Sequence, residues 1–372
     1  INSKSSNVWF KIPFIESMVK SHPQISVIMA VYNGEKYLND SINGILNQTF
    51  EDLEFIIIDD CSKDGTSQIL SNQLDPRIIA VTNTKNIGLS ASLNIGIHKS
   101  KGKYIARNDA DDISLPERLA IQFDFMEKNS HIGILGTGYN LIDESGMEIS
   151  EFIYPIDELE IRWKLLSGPI FPHPTVMMRG SVLRQNNLGY NEKLLATQDY
   201  ELWIRLMTKT RGTNIPISLI NYRQHENSAS NSKIDLQESN RLSISIEALK
   251  RFSVERNVSS EQSLIFSKLL KGDITKHEIK LNAQFIGSII SNFFKGHKNQ
   301  YPSYIWKKNQ LHPILFTIEK IIFSEFDELD NSDNNTYKLL WILIKINPIH
   351  WTLQLICHPN KLYQYLKWGW II

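Results

Sequence analysis

The segment ARNDADDIS, residues 106 to 114, sets three carboxylates in four positions: Asp109, Asp111 and Asp112. It follows Lys103-Tyr104-Ile105-Ala106, which reads as a strand. Carboxylates this close repel one another and resist desolvation, so a strand that ends in them needs compensation. A solvated turn supplies it, and so does a divalent cation. Two other apolar runs end in polar groups: Ile25–Val31 runs into Tyr32-Asn33-Gly34, and Leu53–Ile58 into Asp59-Asp60. A further carboxylate, Asp199, heads the run DYELWIRL, where Leu202, Trp203 and Leu206 share one helical face. An aspartate there is favoured by the helix dipole in any case.

The elements that must position these groups alternate. Strands are expected at Ile25–Val31, Leu53–Ile58, Arg77–Thr82 and Lys103–Ala106. Between them, Leu38, Ile42, Ile45 and Leu46 mark one helix, and Leu89, Leu93 and Ile97 another. Ser114-Leu115-Pro116-Glu117 reads as a capping box opening a further helix. The near-continuous apolar strands suit a parallel sheet covered on both faces. Strand–helix alternation implies an α/β fold with a doubly wound, mostly parallel sheet flanked by helices. In such sheets ligands sit outside the carboxyl ends of the strands. The three polar clusters therefore share one edge. From residue 132 the alternation loosens, with strands at Ile132–Gly136, Glu151–Tyr154, Pro174–Met178 and Ile217–Tyr222 and a helix over Asp157–Leu166. Beyond Asn231 strand signals stop. The division is an extension over 1–23, an α/β domain over 24–230, and an all-helical C-terminal region over 231–372.

Hydrophobic residues make up 42% and charged residues 22%, ordinary for a globular protein. Lys plus Arg and Asp plus Glu are 40 each, so no basic excess points to nucleic acid. Cys61 and Cys357 are far apart and fit a reduced compartment. The segment INSKSSNVWFKIPFIE lacks the apolar core of a signal peptide, and no run approaches a membrane span. A cytoplasmic protein is the expectation.

Seven segments together resemble family-two inverting glycosyltransferases with the GT-A fold. They are VIMAVYNGEKYL (27–38), IIIDDCSKDGT (56–66), NIGLSASLNIGI (86–97), YIARNDADDISLPERL (104–119), HPTVMMR (173–179), QDYELWIRL (198–206) and YRQHENSAS (222–230). A bare DxD is common by chance; seven such segments in order are specific. The resemblance covers residues 24 to 230. It implies a nucleotide-sugar donor, UDP by family habit, and a glycan or lipid-linked glycan acceptor. Loss of the diphosphate builds negative charge that a divalent cation, Mn²⁺ or Mg²⁺, neutralises as a Lewis acid. Such cations take carboxylate and phosphate oxygens. By resemblance Asp109 and Asp111 meet the metal, the diphosphate and the ribose, and Asp112 orients its neighbours. One of Asp59 and Asp60 meets the base of the nucleotide, with Ala30 and Tyr32 lining the same pocket. Asn86, Gly88 and Asn94 match a further donor motif, for which helix capping and packing are the plainer reading. Asp199 is the implied general base. Gln198 stands where a glutamate is commoner. Arg223 is expected on the donor phosphates, His225 on phosphate or metal, and His173 on the acceptor side.

A sugar nucleotidyltransferase would show a glycine-rich basic loop after its first strand, and VYNGEKYL has one glycine and one lysine. A degenerate nucleotide-binding module would be expected to lack a metal carboxylate or the base. Residues 337–372 carry no Asp or Glu but Lys338, Lys345, Lys361 and Lys367, interleaved with Trp341, Trp351, Trp368 and Trp370. That pattern suits peripheral contact with anionic lipid at the inner membrane face, or packing on the catalytic domain or on a second subunit of a homo-oligomer.

Overall fold

The computed structural model describes residues 22–225, 234–252, 258–271 and 274–298. The expectations for 1–21, the boundary near 230 and the basic, Trp-bearing stretch 337–372 fall outside the described residues, wholly or at their key positions. In chain order the strands are β1 (Ile25–Val31), β2 (Leu53–Asp59), β3 (Ile78–Thr82), β4 (Tyr104–Arg107), β5 (Ile113–Ser114), β6 (Ile132–Ile142), β7 (Glu148–Phe152), β8 (Met177–Arg179) and β9 (Arg211–Arg223). The helices are α1 (Leu38–Leu46), α2 (Thr66–Ser71), α3 (Leu89–Lys99), α4 (Arg118–Lys128), α5 (Glu158–Lys164), α6 (Gly180–Gln185), α7 (Gln198–Met207), α8 (Ile234–Phe252), α9 (Ser260–Lys271) and α10 (Lys276–Lys298).

The strands form one sheet in the order β3-β2-β1-β4-β8-β6-β9-β5, with β7 on β6. β1 pairs in parallel with β2 and β4, and β2 with β3. The antiparallel β8 reverses the direction between β4 and β6, and β9 is parallel to β6. Every residue of β1 and β2 is buried. Alternate β1 side chains serve two cores. Ile25, Val27, Met29 and Val31 pack with Leu38, Ile42 and Ile45 of α1. Ile28 and Ala30 face the other side, with Leu93 of α3 and Trp203 of α7. Burial on both faces is why these strands read as continuous apolar runs.

Helices α8 to α10 bring Ile244, Phe266, Ile289 and Phe293 into that second core. Trp163 of α5 meets Phe266 edge-on at 5.2 Å and Phe293 at 5.0 Å.

Two local expectations are corrected. Ser114 does not cap a helix. It lies in β5, its hydroxyl donates to Asn108 Oδ1 at 2.7 Å, and α4 begins only at Arg118 without a side-chain cap. The pull of Asn108 beneath the carboxylate turn outcompetes the capping box. Residues His173–Thr175 form a 3-10 turn before the short β8, because Pro172 and Pro174 cannot donate to a ladder.

Candidate functional site

The ends of β1, β2 and β4 lie side by side, as their parallel register requires. The loops after β1 and β2 are stitched together. Asn33, at φ 55°, donates its N–H to Ser62 Oγ at 2.9 Å and accepts from Lys63 N at 2.8 Å. Asp59 accepts from Ser62 N at 3.0 Å. Asp60 accepts from Asn83 Nδ2 at 2.8 Å, Ile87 N at 2.9 Å and Gly88 N at 2.8 Å. Asp60 thus holds the loop that leads into α3. Gly88 sits at φ 90°, which explains glycine there. Ala30 is buried at the end of β1, Tyr32 is half exposed beyond it, and Asn86 is exposed on the Asp60-held loop.

The three clustered carboxylates diverge. Asp109 pairs with the buried guanidinium of Arg107, at the end of β4. Asp111 points outward, its Oδ2 2.9 Å from His225 Nε2. Asp112 turns inward, is 1% exposed, and accepts from Arg223 N at 2.9 Å. Burial, then the charges of Asp111 and Asp109, holds the Asp112 carboxyl well above the usual carboxylate range. Its Oδ2 is buried without a hydrogen-bond partner. Below the turn, fully buried Arg118 donates to Arg107 O at 2.7 Å and Asn108 Oδ1 at 3.1 Å. Burial, reinforced by Arg107, pushes the Arg118 guanidinium down to about 9. Part of the compensation that the cluster demands is therefore two buried arginines.

Asp199 lies in the first turn of α7. Burial pushes its carboxyl from 3.8 up to about 6, against the backbone N–H groups of Tyr200 and Asp199. The Asp109 charge adds to the rise and Arg107 opposes it, so the recess of Asp199 and the carboxylate turn share one electrostatic field. Tyr190 feels the Asp199 charge and pairs with His173, whose Nε2 lies 2.8 Å from the Tyr190 hydroxyl. Burial, helped by Arg107, pushes His173 down to about 3, so its ring is neutral. Burial raises the Tyr190 phenol.

Arg223 departs from its expected place on donor phosphates. Its guanidinium is 3% exposed and donates to the carbonyls of Asp111 at 3.1 Å and Glu144 at 3.0 Å. It also lies 4.6 Å from the Tyr37 ring centroid. Turned inward, it braces the carboxylate turn from behind. Asn94 neither caps a helix nor faces the strand ends. It clamps Tyr190, accepting from its N at 2.7 Å and donating to its O at 2.9 Å. Sequence reasoning missed Arg107 and Tyr190. An arginine inside the apolar strand YIAR was a usable signal; Tyr190 had none.

A divalent cation fits part of this donor set. Asp111 and His225 offer a carboxylate oxygen and an imidazole nitrogen side by side. Among the described residues no three His, Cys, Asp or Glu side chains form a complete cage. Mg²⁺-type sites ordinarily draw their remaining ligands from substrate phosphates and water.

Residues 26–186 match the model of glycosyl transferase family 2. An uncharacterized glycosyltransferase of Methanocaldococcus jannaschii is 42% identical over 188 residues, which span 49% of this chain and 64% of that relative. The O-antigen biosynthesis glycosyltransferase WbnJ of Escherichia coli is 36% identical over 252 residues, 65% of this chain and 94% of the relative. The putative glycosyltransferase EpsE of Bacillus subtilis is 37% identical over 212 residues, 55% of this chain and 75% of its own length. Among solved structures, S. aureus TarS 1-349 in complex with UDP-GlcNAc superposes with a TM-score of 0.50 at 19% identity, covering 76% of this chain and 93% of that one. The sheet and its flanking helices are thus the GT-A fold. The chain belongs to glycosyl transferase family 2.

Proposed function

We propose that the protein is an inverting glycosyltransferase that moves a sugar from a UDP-sugar to a hydroxyl of a glycan or lipid-linked glycan. The observation that carries this reading is Asp199: a carboxylate at about 6, in a recess electrostatically joined to the carboxylate turn of the strand ends. A base near that value is largely ionised at neutral pH and still accepts a proton well. Asp199 takes the proton of the acceptor hydroxyl as its oxygen attacks the anomeric carbon. The bond to the diphosphate breaks on the opposite side, and one displacement inverts the centre. Neutral His173 and the Tyr190 hydroxyl line the acceptor side and orient the sugar by hydrogen bonding.

Asp111, His225 and Asp109 would hold the divalent cation, which supplies neutralisation of the departing diphosphate. Asp59 is the candidate for the base of the nucleotide. Asp60 spends both carboxylate oxygens on the 83–88 loop, whereas a single bond, from Ser62 N, goes to Asp59. The relative named for O-antigen biosynthesis supports a surface-glycan acceptor.

The test is calorimetric binding of UDP with Mn²⁺ and with EDTA. Wild type should bind at least tenfold tighter with Mn²⁺, and His225→Ala and Asp111→Asn should erase the difference. Equal binding in Mn²⁺ and EDTA would remove the metal from the reading.

A further inference from the structure

Thr197, two residues before Asp199, sits at φ 59° and ψ 22°, in the left-handed region. A β-branched residue is a genuine outlier there. In the ordinary cap conformation its hydroxyl would accept from the N–H of the second or third helical residue. In α7 those are Asp199 and Tyr200. No such cap forms. The Thr197 hydroxyl turns away and donates to Ala196 O at 2.5 Å. The leading N–H groups of α7 are thereby left without a side-chain cap, close to the Asp199 carboxylate, whose rise those of Asp199 and Tyr200 oppose.

The same Ala196 carbonyl has a second donor. Asn240 Nδ2, in α8, reaches it at 3.0 Å. Ala196 is 6% exposed, so both lone pairs of a buried carbonyl are satisfied by these two side chains. Helix α8 is itself fixed against the sheet side. Arg241 donates to Ser167 O at 2.6 Å, Ser245 donates to Leu166 O, and Ile244, Ala248 and Leu249 are in the core. A strained conformation persists only where its surroundings over-determine it, and such residues gather at working sites.

We propose that Asn240 is a positioning residue for the transfer: it holds the Ala196 carbonyl, and so the left-handed Thr197 turn that leaves the first N–H groups of α7 to the Asp199 carboxylate. Without that amide Thr197 relaxes toward the cap conformation, and its hydroxyl competes with Asp199 for those N–H groups. The helical region is then part of the transfer machinery. This rests on Asp199 being the base.

The experiment compares Asn240→Leu, Asn240→Gln, Thr197→Gly and Asp199→Asn in the full chain. Turnover is read as UDP released from UDP-glucose, UDP-galactose and UDP-GlcNAc, with the fastest wild-type donor used throughout. The Asp199 carboxyl is also titrated by ¹³C NMR, assigned by its loss in Asp199→Asn, which needs no donor. Small misplacements of a reacting group cost up to about a hundredfold, so Asn240→Leu should lower kcat about ten- to a hundredfold. Donor KM and UDP affinity should stay near wild type, Tm should fall by a few degrees as a buried carbonyl loses a donor, and the NMR midpoint and the acid limb of the pH profile should move together. Asn240→Gln, which keeps the amide, should recover much of the loss. Thr197→Gly, which keeps the turn and loses the competing hydroxyl, should stay active. Wild-type kcat and midpoint in Asn240→Leu beside an inactive Asp199→Asn would overturn the inference and leave the base in place. Near-normal turnover in Asp199→Asn would remove the base and the positioning role with it. A loss in Asn240→Leu that Asn240→Gln shares, with Tm falling in step, would reduce Asn240 to packing.

Discussion

Replacing Asp199 by Asn should make the protein more stable and nearly inactive, and the gain should depend on pH. The folded state raises the Asp199 carboxyl from 3.8 to about 6, so it holds the proton more tightly than the unfolded chain does. Its contribution to stability is therefore complete below pH 3.8 and is lost as pH rises through about 6. At about 1.4 kcal/mol per pKa unit, the ionised side chain at pH 8 costs about 3 kcal/mol relative to a neutral one. Solvent reaches the carboxylate in part, so about 2 kcal/mol is the expected figure. Asn carries no charge at either pH. It should raise Tm by about 5 °C at pH 8 and by only about a third of that at pH 4.5, where the folded carboxyl is protonated but the unfolded one is largely ionised. Turnover should fall at least about a hundredfold, the low end for a positioned general base. Thermal unfolding at both pH values, with UDP release measured on the same samples, reads both effects. A lower Tm at pH 8, or an equal shift at the two pH values, would refute the buried carboxylate, destabilised by its charge, on which the argument stands.

Other outcomes follow from single contacts. Wild-type turnover should fall about tenfold per pH unit below about 6, because protonated Asp199 accepts nothing; a flat profile from pH 4.5 to 7 would contradict this. Gly88→Ala should cost about 1 kcal/mol or more in urea unfolding, through backbone strain alone, since its φ is 90° and no atom lies within 4 Å of the added methyl. Arg107→Leu leaves Asp109 beside an apolar group and should cost about 3 kcal/mol, with UDP binding weakened as well. Phe266→Ala should cost about 3 to 5 kcal/mol, because its ring is fully buried against Trp163; a cost under 1 kcal/mol would show the helical region to be loosely attached.

What was legible in the sequence was what repeats locally. Strand–helix alternation gave the parallel half of the sheet, and the polar residues after Val31, Ile58 and Arg107 marked its working edge. The place of Asp199 in the first turn of an amphipathic helix was legible in the run DYELWIRL. The residues whose partners were missed act across the chain. Asn94, for which packing was the plainer reading, packs on Tyr190, 96 positions away. Arg223, expected on the donor phosphates by resemblance, donates to the carbonyls of Asp111 and Glu144. Ser114 satisfied every local rule for a cap and lost to Asn108. Hydrogen-bond competition of this kind leaves no trace in periodicity.

The configuration of the first product tests the central claim most directly. Water can replace the acceptor, so the α-linked UDP-sugar that the protein turns over fastest is incubated alone with Mn²⁺, and ¹H NMR is recorded before the free sugar mutarotates. A single displacement assisted by Asp199 predicts the β anomer first, at a rate that collapses in Asp199→Asn. Appearance of the α anomer first would contradict the one-step mechanism and the role given to Asp199.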